Sequence, residues 1–327
     1  MTLWNSKAAI AITIGDCNGI GPEIVLKSVT DPSIRKFCSP ILVGPVDAFA
    51  FYASRMKMPL PSFPIVESSS MSRSDVRPGM VTARSGNAAA DAIAAAVQLA
   101  QAGVVQAIVT APISKHALHK AGVRFPGHTE LLQHLTGAKH VAMILVSQTM
   151  RVGLVTIHIP LKQVSTLLTR KLVRQRIETI HDALVNDWRI RKPRIAVLAL
   201  NPHAGEGGDI GTEDKRIVDP VVKSLAAAKM NIRGPFPSDA FFARYTPNLY
   251  DAVIAMYHDQ GLIPLKMTAH GRAVNASAGL PIVRTSPDHG TAFDIAGKNI
   301  ADARSMIEAI KLALIIAKNR NALRRNA

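Results

Sequence analysis

The chain has 327 residues, 48% hydrophobic and 5% aromatic, enough for two sizeable cores or one large α/β domain and too apolar for a disordered chain. No apolar run reaches the roughly 18 to 20 residues of a membrane span, and two cysteines, Cys17 and Cys38, supply neither a disulfide framework nor a zinc finger, which points to a reducing cytoplasm. The formal net charge of +16 gathers in 162–176, 189–194 and 318–325, outside any helix-turn-helix, zinc-finger or RNA-binding pattern, so it suits phosphorylated substrates and dinucleotides better than nucleic acid.

In chain order, 8–14 reads as a first strand, followed by GDCNGIGPE and a helix opening at Pro22 and Glu23, residues that suit a first helical turn. Gly15, Gly19 and Gly21 match neither the dinucleotide fingerprint nor the phosphate-binding loop, and a tight turn accounts for them equally well. A second strand is expected at 40–43, an irregular surface excursion at 52–78, a strong helix at 85–102 closed by Gly103, and a buried strand at 104–110. APISKHALHKAG runs into the next helix, with Ser114 and Lys115 at its start. In PGHTE, His128 and Thr129 open another helix and could read an anion or a hydroxyl.

Paired strands follow at 143–148 and 152–158, then a helix at 162–185, a strand at 194–200, a strand at 252–256 and a last helix at 301–320. Strands alternating with helices predict an α/β protein with a largely parallel sheet. The turn-formers Gly261, Pro264, Gly271, Gly279 and Pro281 predict loops between 257 and 284, carrying Lys266, Asn275 and Arg284 as a pocket for an anionic, hydroxylated small molecule. His158, His203 and His258 each follow a different predicted strand. Parallel strands bring such ends to one edge, so three imidazoles could converge on one divalent ion, and neutral ligands would leave it a strong Lewis acid.

GDCNGIGPE, TAPISK, PGHTELL, NPHAGEGGDIGTED, GPFPSDAFF, YHDQGLIPLK and GLPIVRTSPDHGTAFDIAGK together resemble the 4-hydroxythreonine-4-phosphate dehydrogenases of pyridoxal phosphate synthesis, over nearly the whole chain. The resemblance implies a two-domain fold like that of isocitrate and isopropylmalate dehydrogenases, with an active-site cleft between the domains, here 1–125 with 290–327 and 126–289. It implies a homodimer whose shared site takes Asp239 from the other subunit, and the apolar pair Phe241 and Phe242 beside it reads as an interface. His158, His203 and His258 would hold zinc, magnesium or cobalt; His128, Thr129, Lys266, Asn275 and Arg284 would bind the substrate, a phosphorylated hydroxy amino acid. Lys266 and Asp239 would be catalytic, Lys266 as a proton carrier if desolvated beside the ion.

NAD or NADP would be bound with help from the 279–298 stretch, through Gly279, Asp288, His289, Gly290 and Asp294. The chain departs from the family pattern at Asp16-Cys17-Asn18 and at Lys298-Asn299, both away from the expected metal and substrate positions. The implied reaction is oxidation of 4-phosphohydroxy-L-threonine followed by decarboxylation. The alternatives are oxidation of D-threonate or D-erythronate 4-phosphate or of a carboxylated cyclic diol, and, in another class, a non-catalytic sugar-phosphate or metal-binding protein.

Overall fold

A computed structural model of the chain describes residues 7–125 and 127–324; Pro126 of PGHTE lies outside the described residues. Its strands are β1 (Ala8–Thr13), β2 (Cys38–Val43), β3 (Ile65–Val66), β4 (Ala107–Thr110), β5 (Ala142–Val146), β6 (Arg151–Leu154), β7 (Ile195–Leu198), β8 (Ile232–Phe236), β9 (Ala252–Ala255), β10 (Val274–Ala278) and β11 (Arg284–Pro287). Most are short apolar runs rich in Val, Ile and Ala, buried on both faces as parallel strands require. Among the described residues, no helix is long and apolar enough to cross a membrane.

The chain forms two units, Met1–Ala138 with Leu280–Lys318 and Lys139–Gly279 with Asn319–Ala327. These units divide at 138/139, 279/280 and 318/319, where the expected boundaries are 125/126 and 289/290. Local interactions place the last two of these boundaries. β11 pairs with β4, which carries Arg284 into the first unit. At the other end, Asn319 Nδ2 donates to Asp187 O at 2.7 Å and Arg320 Nε to Asp187 Oδ1 at 2.6 Å, tying the end of the last helix to the second.

In the first unit the strand order is β3-β2-β1-β4-β11, all parallel. Ile10, Ile12, Leu42, Ile93 and Ile108 fill its core with Phe49 and Tyr52. The expected helix at 85–102 is Ala83–Gln101, capped by Thr82, whose side chain accepts from Ser85 N. In the second unit the order is β10-β5-β6-β9-β7-β8: β10, β5 and β6 are antiparallel neighbours, while β6, β9, β7 and β8 run parallel.

The largest departure from expectation lies at 257–284. His258–Ala269 is a helix with Pro264 inside it, Asn275 lies on β10 and Arg284 opens β11, so the pocket residues are not borne on loops. Gly261 misleads because it serves packing: a Cβ there would meet Val152 Cγ1 at 2.4 Å and Ala255 Cβ at 2.9 Å, and only glycine lets this helix lie so close to the sheet. Burial of Leu262, Leu265 and Ala269 offsets the backbone hydrogen bond that Pro264 removes. The single helix expected at 162–185 is two, Leu161–Leu167 and Arg170–Asn186, the second capped by the Thr169 side chain. Phe241 and Phe242 are half-buried and pack on their own unit's core with Phe236, Tyr245 and Tyr250, so their apolar surface is largely covered without a partner.

Asp16, after β1, is fully buried. Burial pushes its carboxyl up to about 6, against the hydrogen bonds from the Asn18 amide and Ser85, which act the other way. A carboxyl raised in the folded state contributes stability that is present below its ordinary pKa and lost as pH rises through about 6, here up to about 3 kcal/mol. Asp16→Asn keeps the acceptor for Asn18 and cannot ionise. Urea unfolding should show the variant gaining on the native protein between pH 4.5 and pH 8; a pH-independent difference would refute the assignment.

Candidate active site

The second unit places four site residues at one edge of its sheet. His158 follows β6, His258 follows β9, His203 follows β7 and Asp239 follows β8, all at carboxyl ends of parallel strands in the lateral order β6-β9-β7-β8. The His158 and His258 rings lie 5.7 Å apart between centroids. A cavity of about 280 Å³ includes both, with Ile157, Leu161, Tyr257 and Asp259. His203 lines a second cavity, of about 210 Å³, with Asn201, Ser238, Asp239 and Gln260, and Tyr257 lines both. Among the described residues, no three His, Cys, Asp or Glu side chains are grouped so as to hold a metal ion.

The strand order gives a reason. β6 and β7 flank β9, two strand spacings or about 10 Å apart, so His158 and His203 begin on opposite sides of His258. The His203 turn is also tightly held. Residues 203–207 all have positive φ, including His203, Ala204 and Glu206, where a side chain makes that conformation costly. The buried Asp214 carboxylate fixes the entry to this turn, accepting from Leu200 N at 2.7 Å, Asn201 N at 2.9 Å and Asn201 Nδ2 at 3.1 Å.

The donor chemistry of the histidine pair suits a divalent ion. His258 Nδ1 lies 2.7 Å from Asp259 Oδ1; with the proton on Nδ1, the ring donates to the carboxylate and Nε2 presents its lone pair, the usual orientation of a histidine ligand. Lys266 lies eight residues beyond His258 on the same helix, about 12 Å along its axis, and is exposed, so this chain alone does not desolvate it beside the histidines. Asn275 presents a buried Oδ1 that has no hydrogen-bond partner.

The first unit joins three of the sequence motifs. Arg284, 2% exposed at the start of β11, donates from Nε and Nη2 to Thr110 Oγ1, at 3.1 and 2.8 Å, at the end of β4. Burial lowers the guanidinium to about 9, still cationic at neutral pH. His128 and Thr129 open the helix His128–Thr136. The His128 residue keeps some exposure, but its Nε2 is enclosed and has no partner. Burial, and then the Arg284 charge, hold His128 well below the ordinary imidazole value; a hydrogen bond with the Ala111 backbone opposes them. With its other ring nitrogen given to Ala111, neutral His128 offers Nε2 as an acceptor close to a buried cation. Thr110 is not among the residues the sequence points to as site residues, although it opens TAPISK.

Of the expected cofactor residues, Asp288, His289, Gly290 and Asp294 precede or lie in a loop anchored by Ile20 N on Thr291 O at 2.9 Å, Arg55 Nε on Gly297 O at 3.0 Å and Lys27 Nζ on Ala301 O at 2.9 Å. The space above the Gly290 backbone is open, as a cradle for a ligand requires. Gly279 belongs to the other unit and has a packing role: at φ +83°, a Cβ there would run into His140 O.

The profile of the pyridoxal phosphate biosynthetic protein PdxA matches residues 36–313. A 4-hydroxythreonine-4-phosphate dehydrogenase of Trichlorobacter lovleyi is 41% identical, the match covering 96% of this chain and 99% of that protein. A D-threonate 4-phosphate dehydrogenase of Cupriavidus necator is also 41% identical, covering 95% and 98%. The crystal structure of the 4-hydroxythreonine-4-phosphate dehydrogenase from Klebsiella pneumoniae superposes with a TM-score of 0.83 at 40% identity, covering 97% of this chain and 99% of that one. Isocitrate dehydrogenase from Methylococcus capsulatus, at 16% identity, shares the fold with a TM-score of 0.51, covering 97% of this chain and 88% of that one.

The Arg284–His128 arrangement predicts a titration. Both burial and the neighbouring guanidinium disfavour imidazolium, so the His128 ring signal in NMR should stay in its neutral position down through pH 6. Arg284→Met should move its midpoint upward, and inorganic phosphate bound beside Arg284 should do the same in the native protein. A His128 signal that titrates normally in the native protein would contradict the geometry.

Proposed function

Since the chain belongs to the PdxA family of pyridoxal phosphate biosynthetic proteins, we propose that it oxidises the secondary alcohol of 4-phosphohydroxy-L-threonine with NAD or NADP. The product, 2-amino-3-oxo-4-(phosphooxy)butanoate, loses carbon dioxide to give 3-amino-2-oxopropyl phosphate. The observation that carries this reading is the buried Arg284 guanidinium beside the partnerless Nε2 of His128: a fixed cation for an anionic group next to an acceptor for a hydroxyl or ammonium. D-threonate 4-phosphate is the second reading, favoured by the relative of that name at equal identity, and offers the same phosphate and C3 hydroxyl with a second hydroxyl in place of the ammonium.

Each residue has a role in this scheme. Arg284 binds the anion, which its planar fork can grip through two parallel bonds. His128 and Asn275 accept from substrate hydroxyl or ammonium groups, which would satisfy Nε2 and Oδ1. Thr129, buried at the start of its helix, supplies a hydroxyl beside His128. His158, His203 and His258 would hold a divalent ion, whose contribution is Lewis acidity toward the substrate hydroxyl. A nicotinamide bound there would supply the hydride acceptor, and Lys266 Nζ, once desolvated by a second copy, would take up the hydroxyl proton and return one to the enolate carbon left by carbon dioxide. Asp288, His289, Gly290 and Asp294 serve the dinucleotide, with Gly279 shaping the backbone before them.

The working unit in this reading is a homodimer. Leu161, Ile263 and Met267 are 70%, 58% and 73% exposed, and the last two stand one turn apart on the helix that His258 opens, an apolar surface that a second copy would cover beside the histidines. A second copy would also bring the partner's Asp239 to the site as a catalytic residue.

Purified protein with a divalent ion should reduce NAD or NADP on addition of 4-phosphohydroxy-L-threonine. Faster turnover of threonate or erythronate 4-phosphate would transfer the function to the second reading, and no turnover of any of them would reject both. Arg284→Lys should cost about tenfold or more in kcat/KM with the fold intact, because lysine cannot reproduce the bidentate grip.

Sharing of the site is tested by complementation. An Asp239→Ala chain mixed with a His258→Ala chain should recover part of the activity in heterodimers, since one of their two sites then holds every residue. Baseline activity with subunit exchange confirmed would reject the shared site.

A further inference from the structure

Gln260 ties together the strand ends from which the site histidines and Asp239 arise. It lies in the first turn of His258–Ala269, two residues after His258, and is 9% exposed. Its Oε1 accepts from Met256 N at 2.6 Å, at the end of β9. Its Nε2 donates to Ala199 O at 2.5 Å, just after β7, and to Ser238 Oγ at 2.7 Å, beside Asp239 after β8. One buried amide thus spends an acceptor and both donors on three neighbouring chain segments. Those segments lead to His258, to the turn bearing His203, and to Asp239. Gln260 also lines the cavity of His203 and Asp239, with its polar atoms directed into the framework.

The geometry points to Gln260 as a positioning residue that sets the placement of His203 and Asp239 relative to His258, and through it relative to His158. Sheet pairing ends short of these residues: the β7–β9 register runs only to Val197 opposite Ile254, and the last β7–β8 pair is Leu198 with Phe236. Beyond those points the Gln260 amide continues the cross-strand connection. Asp214 fixes the His203 turn from the opposite side, so the turn is held both at its entry and against β9. Losing the amide leaves Ala199 O and Met256 N without this partner and lets the segments beyond Val197 and Phe236 shift relative to the end of β9, while the paired strands stay in place.

The inference rests on the reading of the three histidines as ion ligands, and two measurements separate the two claims. In Gln260→Met, similar in volume and unable to bridge, the NMR signals of the His203 and His258 rings should shift while that of His128, in the other unit, stays in place. Zinc binding measured by calorimetry should weaken about tenfold or more, the usual cost of removing a group that orients metal ligands. The unfolding midpoint should remain well above the assay temperature. If Gln260→Met does not fold, Ser238→Ala removes only the bond toward Asp239 and should give smaller changes of the same kind. Native zinc affinity and unmoved His203 and His258 signals in a folded variant would overturn the proposal. If the native protein binds no divalent ion, the ligand reading fails and the ring signals alone decide on Gln260: shifted signals uphold its positioning role and unmoved ones reject it.

Discussion

The second unit depends on the parallel alignment of β6, β9, β7 and β8. Parallel strands must return through a crossover, so each carboxyl end passes into a fresh connection, and four such ends lie side by side here. This constraint brings residues separated by about eighty positions in sequence, Ile157–His158 and Asp239, to one edge. It also separates them, because lateral order along a sheet is a ruler with steps of roughly 4.8 Å. His258, just past the middle strand of β6, β9 and β7, meets His158, while His203 and Asp239 line another cavity that Tyr257 also borders.

The first unit works by a different principle, the burial of charge. A guanidinium enclosed at the base of β11 is costly unless something anionic or strongly polar meets it, and lowering to about 9 is the visible sign of that cost. The same charge keeps His128 neutral, which leaves Nε2 an acceptor. In the proposed reading, this buried donor set beside a buried acceptor would distinguish a phosphorylated, hydroxylated molecule from a bare phosphate. The large positive net charge adds long-range attraction for anions of any kind, whereas selectivity in this reading would rest on the enclosed groups.

The sequence pattern was informative where burial dictates residue type. β1, β2, β4, β7 and β9 all fall within or within two residues of their expected ranges because fully buried parallel strands are continuous apolar runs. It misled where one residue type serves two ends. Gly261 and Pro264 read as loop formers, yet Gly261 permits close helix–sheet contact and Pro264 is tolerated because the helix is buried along Leu262 and Leu265. Phe241 and Phe242 looked like an interface, but composition cannot tell an aromatic cluster that covers its own core from one that awaits a partner.

The sequence by itself determined the family, the α/β class, the motifs that carry chemistry and the fact that each of three histidines follows a strand. These are local properties, fixed by residue type and spacing along the chain. Only the tertiary structure decided that Arg284 is buried on Thr110 beside His128, that His158 pairs with His258 while His203 sits with Asp239, and that Gln260 bridges three strand ends. Those facts depend on strand order and on which side chains lose their water, and neither is encoded in any one stretch of the chain.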